Sequence, residues 1–271
     1  MEKKITYNNL SVPGSIIIAG AIIAIAIIWT KQPVKTSLDR AITVNVQTIT
    51  SSDHVLGNPN APIKIIGYSD PSCPYCKIFN PTMIDIMKEY GPSGDVAWVY
   101  RHFPLNKPDA NGNVLHANAG NESQALECVA SLGGNDKFWA YEKLFYETTP
   151  SVTGSTPEGL DQTQLPVMAK NVGIDVTNFK DCLSSGKFSQ TVDKQYLSGI
   201  NAGVTGTPTS FIMLSKPANK SIEDYIGNTL LTNRMPPSML YMSDDKKTIS
   251  MSGAMPKEII VGLITAIKAS K

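Results

Sequence analysis

Two cysteines three positions apart, in Ser72-Cys73-Pro74-Tyr75-Cys76, are the residues whose types and spacing carry chemistry. A Cys-x-x-Cys pair at the first turn of a helix brings both thiols within reach of a disulfide. The unpaired N–H groups and positive dipole end of that helix favour a thiolate on the first of them. Cys73 is therefore the expected nucleophile. Pro74 needs no N–H partner in the first turn and stiffens it, while Cys76, one turn in, is better shielded and suited to resolving a mixed disulfide. The same pair could be half of a zinc site, but the other half is missing. Cys128 and Cys182 stand alone in separate segments, and His54, His102 and His116 have no zinc-knuckle spacing to a cysteine. Redox chemistry is the expectation, with no metal and no cofactor.

The elements that would position this pair can be read on either side of it. The β-branched run 63–68 predicts a buried strand, and a helix from Cys73 carries Ile78, Phe79, Met83, Ile84 and Met87 at three- and four-residue spacing up to Gly91-Pro92. A second strand follows at 96–103, and a strand–helix–strand order of this length implies a parallel pair with a right-handed crossover. From about 117 to 202 the periodicity is helical, in segments at 117–132, 138–146, 165–172, 178–185 and 188–200. Strand character returns at 210–214 and 247–252, and an amphipathic helix closes the chain at 256–269. The expected class is α/β, ordered βαβ, helices, ββα. Residues 215–245 separate the last two strands by far more than a hairpin loop and read as an insertion.

Upstream, residues 16–29 are unbroken apolar apart from one glycine, and no charge occurs between Ile5 and Thr30. Counted from Val12 to Trp29 the stretch has 18 residues, within the roughly 17–25 that cross a hydrocarbon core. No small-x-small cleavage site follows, so residues 1–30 are expected to be a tail and an uncleaved transmembrane anchor. Residues 31–53 read as a linker with a short strand at 42–48, and the folded domain as 54–271. Lys and Arg number 24 against 23 Asp and Glu, giving a net charge of +1. That balance offers no footprint for nucleic acid.

Several motifs in order resemble the DsbA-like thiol:disulfide oxidoreductases of thioredoxin fold. They are Ser69-Asp70 before Cys73-Pro74-Tyr75-Cys76, Tyr100-Arg101-His102-Phe103-Pro104-Leu105, Lys137-Phe138-Trp139, Gly203-Val204-Thr205-Gly206-Thr207-Pro208-Thr209, and Ser252-Gly253-Ala254. The resemblance runs from about His54 to the C-terminus. It implies a thioredoxin fold with an inserted helical domain, and Pro208 as a cis-proline facing the dithiol. It also implies that Pro74, Tyr75, Thr207 and Pro208 form the substrate-binding surface, with the Thr207 backbone pairing an extended peptide beside Cys73. From the residues alone, Cys128 and Cys182 are open between buried free thiols and a pair; the resemblance implies a structural bridge. The implied activity is disulfide introduction into reduced, unfolded exported proteins, on the outer side of a membrane. A quinone-linked or thiol partner would restore the enzyme's disulfide.

The chain departs from that group's pattern in two places. Where thioredoxin-like proteins commonly carry a buried acid, six residues before the nucleophile, this sequence has Gly67, and the nearest carboxylate, Asp70, reads as a helix-cap or turn residue. The 215–245 insertion contains or borders Met235, Met239, Met242, Met251 and Met255, which suit core filling or an adaptable groove and, less readily, soft copper ligation. The alternatives are a tethered reductase or isomerase, a copper-delivery protein, and a redox-inert peptide-binding module.

Overall fold

Ile63–Ser69 (β2) and Val96–His102 (β3) are buried on both faces, and they form the parallel centre of a six-stranded sheet. In the computed structural model, residues 44–108, 111–150 and 159–270 are described. The chain divides into units 1–42 and 43–271, so the description concerns the second alone. The remaining strands are His54–Gly57 (β1), Thr209–Met213 (β4), Leu240–Met242 (β5) and Thr248–Ser252 (β6), in the order β1-β3-β2-β4-β6-β5. Only β2 and β3 are parallel; the other pairings are antiparallel. The register sets Ile65 beside Trp98 and Ile212, and Ile66 beside Val99 and Phe211. Because side chains alternate along a strand, these two rows feed separate cores on opposite faces of the sheet.

Pro74–Tyr90 (α1) makes the crossover from β2 to β3. Its buried stripe is Cys76, Phe79, Asn80, Met83, Ile86 and Met87, and it stops where Gly91 N–H donates to Met87 O at 2.9 Å. Five helices stand between β3 and β4: Ala119–Gly133 (α2), Asn135–Thr148 (α3), Gln164–Asn171 (α4), Val176–Ser184 (α5) and Ser189–Asn201 (α6). Gly134, at φ +81°, takes the left-handed turn that separates α2 from α3. A disulfide joins Cys128 of α2 to Cys182 of α5. This is the thioredoxin-like α/β architecture with a helical insertion expected from the sequence, closed by Lys257–Ala269 (α8).

Two expectations change, the short strand and the start of the folded body. Residues 44–50 form no strand, although Val44, Val46 and Ile49 do pack on the sheet against Tyr68, Val99, Phe103 and Phe211. The buried Arg101 takes the carbonyls a strand would have used. It donates to Gln47 O at 3.0 Å and Thr48 O at 3.2 Å, and it grips Asp53 with two nitrogens at 2.7 and 3.1 Å. Residues 44–53, read as the end of a linker, thus lie on the folded body. The 215–245 insertion contains helix Lys220–Thr232 (α7) and edge strand β5; Met251 and Met255 are buried, and Met235 and Met242 pack against the same core. The expected anchor and its apolar run at 16–29 lie outside the described residues, among which no helix is long and apolar enough to cross a membrane.

Candidate active site

Cys73 is the N-cap residue of α1, with extended backbone (φ −77°, ψ 123°), and Pro74 opens the helix. No acidic side chain lies in the first turn, so the positive end of the helix is left to the sulfur. Both thiols are free and buried, and Cys73 Sγ donates to Thr207 O at 3.3 Å. A hydrogen bond from Cys76 holds the Cys73 thiol down to about 6, Thr207 contributing in the same direction, against burial and the Asp70 charge. Burial, reinforced by the neighbouring Cys73, pushes the Cys76 thiol well above its ordinary value. The two sulfurs are therefore chemically unequal: one is readily a thiolate, the other is held as a thiol.

The Thr207–Pro208 peptide bond is cis, with Thr207 half-buried, Pro208 buried and β4 starting at the next residue. This puts the Thr207 carbonyl on Cys73. Pro74 is half-buried, while Tyr75 and Ile78 project from α1 with 62% and 61% of their surface exposed. Apolar surface of that kind, next to a nucleophile, suits contact with a polypeptide.

Asp70 is a turn residue but not a helix cap. Its Oδ1 accepts from Ser72 N–H at 2.8 Å, its Oδ2 accepts from Leu105 N–H at 2.8 Å, and His116 Nδ1 lies 2.7 Å from the same Oδ2. Burial lowers the His116 pKa, but the bond to Asp70 and the charges of Asp70, Cys73 and Glu122 together outweigh it and the net direction is upward. Ser72 Oγ donates to Glu122 at 2.5 Å, and Gln162 donates to the same carboxylate at 2.8 Å; burial still raises Glu122. These groups bind the loops on the Cys73 side of the site together. Gly67 faces Trp98: a Cβ there would lie 3.1 Å from the indole nitrogen. The indole fills the space an acidic side chain would need.

A second buried polar cluster lies behind Cys76 and was not singled out from the sequence. Glu142 of α3 has no exposed surface and accepts from Asn80 Nδ2 at 2.5 Å. Burial pushes its carboxyl up to about 8. Tyr146, one turn on, meets the Ser69 hydroxyl at 3.0 Å and donates to Asp70 O at 3.3 Å. Tyr100 and Tyr146 are both raised chiefly by burial, and both feel Cys76 and Glu142. A signal existed in the sequence: Glu142 and Tyr146 share a helical stripe with Phe138 and Trp139, so a carboxylate sat on the apolar face of its helix. The third buried cluster, His54 and His102 each 3.1 Å from Glu127 Oε1, ties β1 and β3 to α2. Among the described residues no group of His, Cys, Asp and Glu is arranged to hold a metal ion.

The thioredoxin family matches residues 49–226. A provisionally named protein-disulfide oxidoreductase of Rickettsia typhi is 23% identical over 192 residues, covering 70% of this chain and 64% of the relative. A Na(+)/H(+) antiporter of Salinispora tropica is 29% identical over 164 residues, covering 59% of this chain and 21% of the antiporter. The chain thus spans less than two thirds of the length of either relative. Among solved structures, alpha-DsbA1 of Wolbachia pipientis superposes with a TM-score of 0.57 at 20% identity, covering 82% of this chain and 96% of that one. Oxidised BdbD from Bacillus subtilis gives 0.53 at 23% identity, covering 62% and 85%. A family match that runs from the stem before β1 through the helical insertion into α7, on a backbone shared with DsbA proteins, places this chain in the thioredoxin family.

Proposed function

We propose that the chain is a thiol–disulfide oxidoreductase working as an oxidase of exported proteins. A substrate thiolate attacks Cys73 Sγ of the Cys73–Cys76 disulfide; the Cys73–substrate bond forms, the Cys73–Cys76 bond breaks, and Cys76 takes the electron pair and then a proton. A second substrate thiolate attacks the substrate sulfur of the mixed disulfide. It leaves an oxidised substrate and a Cys73 thiolate. Thr207 and Pro208 would align the peptide beside Cys73, with Pro74 and Tyr75 flanking it. The observation that carries the direction is the Cys73 thiol at the head of α1, held down to about 6 by its bond with Cys76. A stabilised thiolate stabilises the reduced form and makes the disulfide the stronger oxidant. Equilibration of the full chain with glutathione tests this. A potential at or above about −180 mV supports the oxidase, and one near about −270 mV assigns the tethered reductase instead.

The apolar run at 16–29 is proposed as a single membrane anchor that leaves the dithiol on the extracytoplasmic side, where a quinone-linked or thiol partner would reoxidise it. The Cys128–Cys182 bridge supports an oxidising compartment. A thiol reagent unable to cross membranes should label reduced Cys73 in intact cells; protection until lysis would reverse the orientation.

A further inference from the structure

Strand β2 and helix α1 each meet α3 through a polar contact. At the first, Ser69 Oγ and Tyr146 Oη are 3.0 Å apart, and Ser69 works against burial in lowering the Cys76 thiol. At the second, one turn back along α3, Asn80 Nδ2 of α1 donates to Glu142 Oε1 at 2.5 Å. Cys76 and Asn80 share a face of α1, as Glu142 and Tyr146 share a face of α3, because residues four apart are neighbours on a helix. Glu142 is entirely buried, and its Oε2 and the Tyr100 hydroxyl have no hydrogen-bond partner among the described residues. An unpaired buried carboxyl oxygen costs free energy that packing alone does not explain. A groove between the two helices, lined by Lys77, Asn80, Pro81, Tyr146 and Glu147, opens this region to solvent.

Exchange at Cys73 expels Cys76 as a thiolate into a site where burial disfavours that charge. We propose that Glu142 is the proton store for Cys76, reached through the Tyr146 and Ser69 hydroxyls. As the Cys73–Cys76 bond breaks, the Glu142 carboxyl gives its proton to the Tyr146–Ser69 path, the path protonates the Cys76 thiolate, and Glu142 is left as a carboxylate that water in the groove reprotonates. In the reverse direction Glu142 accepts the Cys76 proton by the same path, and Cys76 attacks the mixed disulfide. The inference rests on the dithiol exchange proposed above but not on its direction. Glu142 acts through two hydroxyls and does not touch the reacting sulfurs, so its role is to position a proton. The ionisable groups around it are Cys76 and Lys77 from α1, Tyr100 from β3 and Tyr146 from α3; Lys77 donates to the Tyr146 carbonyl, and burial lowers it against the Glu147 charge. In the oxidised protein the cysteines do not titrate and burial pushes both tyrosines upward, which leaves Glu142, near about 8, as the group of this cluster that changes charge around neutrality.

The test is stopped-flow reduction of the oxidised full chain, in detergent micelles, by 2-mercaptoethanol from pH 5.5 to 9.5. Tryptophan fluorescence reports the reaction, since Trp98 and Trp139 lie in the core that holds both cysteines, and each rate is divided by the thiolate concentration. In the parent chain the corrected rate should fall above pH about 8. Glu142→Gln keeps the size of the side chain and an acceptor for Asn80; it should lower the rate about tenfold or more below pH 8 and abolish the break, within the ~10²–10⁴-fold span of general acid–base catalysis. Tyr146→Phe, which leaves Glu142 in place, should do the same, and it decides the matter if Glu142→Gln does not fold. Parental rates with the parental break in either folded variant would overturn the proton store while leaving the exchange reading intact. A parent chain inert to the thiol would instead overturn the exchange reading, and the proton store with it.

Discussion

The two sulfurs of the Cys73-Pro74-Tyr75-Cys76 turn differ because of where α1 begins. Cys73 caps the helix and meets the Thr207 carbonyl, whereas Cys76 is sealed beneath it. Cys73→Ser should abolish exchange, and Cys76→Ser should accumulate mixed disulfides with substrate, read as reducible adducts on a non-reducing gel. Gly67→Glu should not restore an acid behind the site. The Trp98 indole stands 3.1 Å from the added Cβ, and a buried carboxylate would lack a partner, so a loss of several kcal/mol in denaturant unfolding is expected. The dithiol was legible in the sequence because its chemistry is local, four consecutive residues at a helix start. The groups around it were not. His116 reaches Asp70 across 46 positions and Glu142 reaches Asn80 across 62, and those meetings depend on how the helical insertion seats on the sheet.

Among the elements, the strands and helices that follow a clean period could be read from sequence, from β2 and α1 through α8. The stem at 44–50 could not. Its alternating Val44 and Val46 do bury, but a guanidinium takes up the carbonyls in place of a neighbouring strand. Helix α5 is held to α2 by the Cys128–Cys182 bridge, 54 positions apart. Replacing both cysteines by alanine should lower stability by about 4 kcal/mol in the loop-entropy picture, measured by denaturant unfolding without reductant with Cys73 and Cys76 replaced by serine in both proteins. Helix α6 approaches the sheet so closely that a Cβ on Gly199 would lie 2.5 Å from the Phe103 ring and 3.0 Å from Tyr68. Gly199→Ala should therefore cost about 1–3 kcal/mol through overpacking, although alanine is the better helix former.

For the whole molecule, buried ionisable groups set opposing pH dependences. Burial lowers His102, and its partner Glu127 is brought to about 2 by the two histidines despite burial. Both contributions are present above the unfolded pKa values, roughly 6.5 and 4.3, and are lost as pH falls towards the folded ones. Glu142 works the other way. With its carboxyl raised to about 8, its contribution is present below the unfolded value and is lost as pH climbs through 8. Thermal melts of the parent should thus weaken from pH 5 to 8 relative to Glu142→Gln; parallel curves would remove this linkage. The Arg101 clamp has a further consequence, for colloidal behaviour. A fragment starting at His54 would lose Asp53 and the carbonyls that Arg101 grips, and would strip Val44, Val46 and Ile49 from Tyr68, Val99, Phe103 and Phe211. It would present a greasy patch around an unbalanced charge, and light scattering should show it self-associating with rising concentration, whereas a fragment starting at residue 43 stays dispersed.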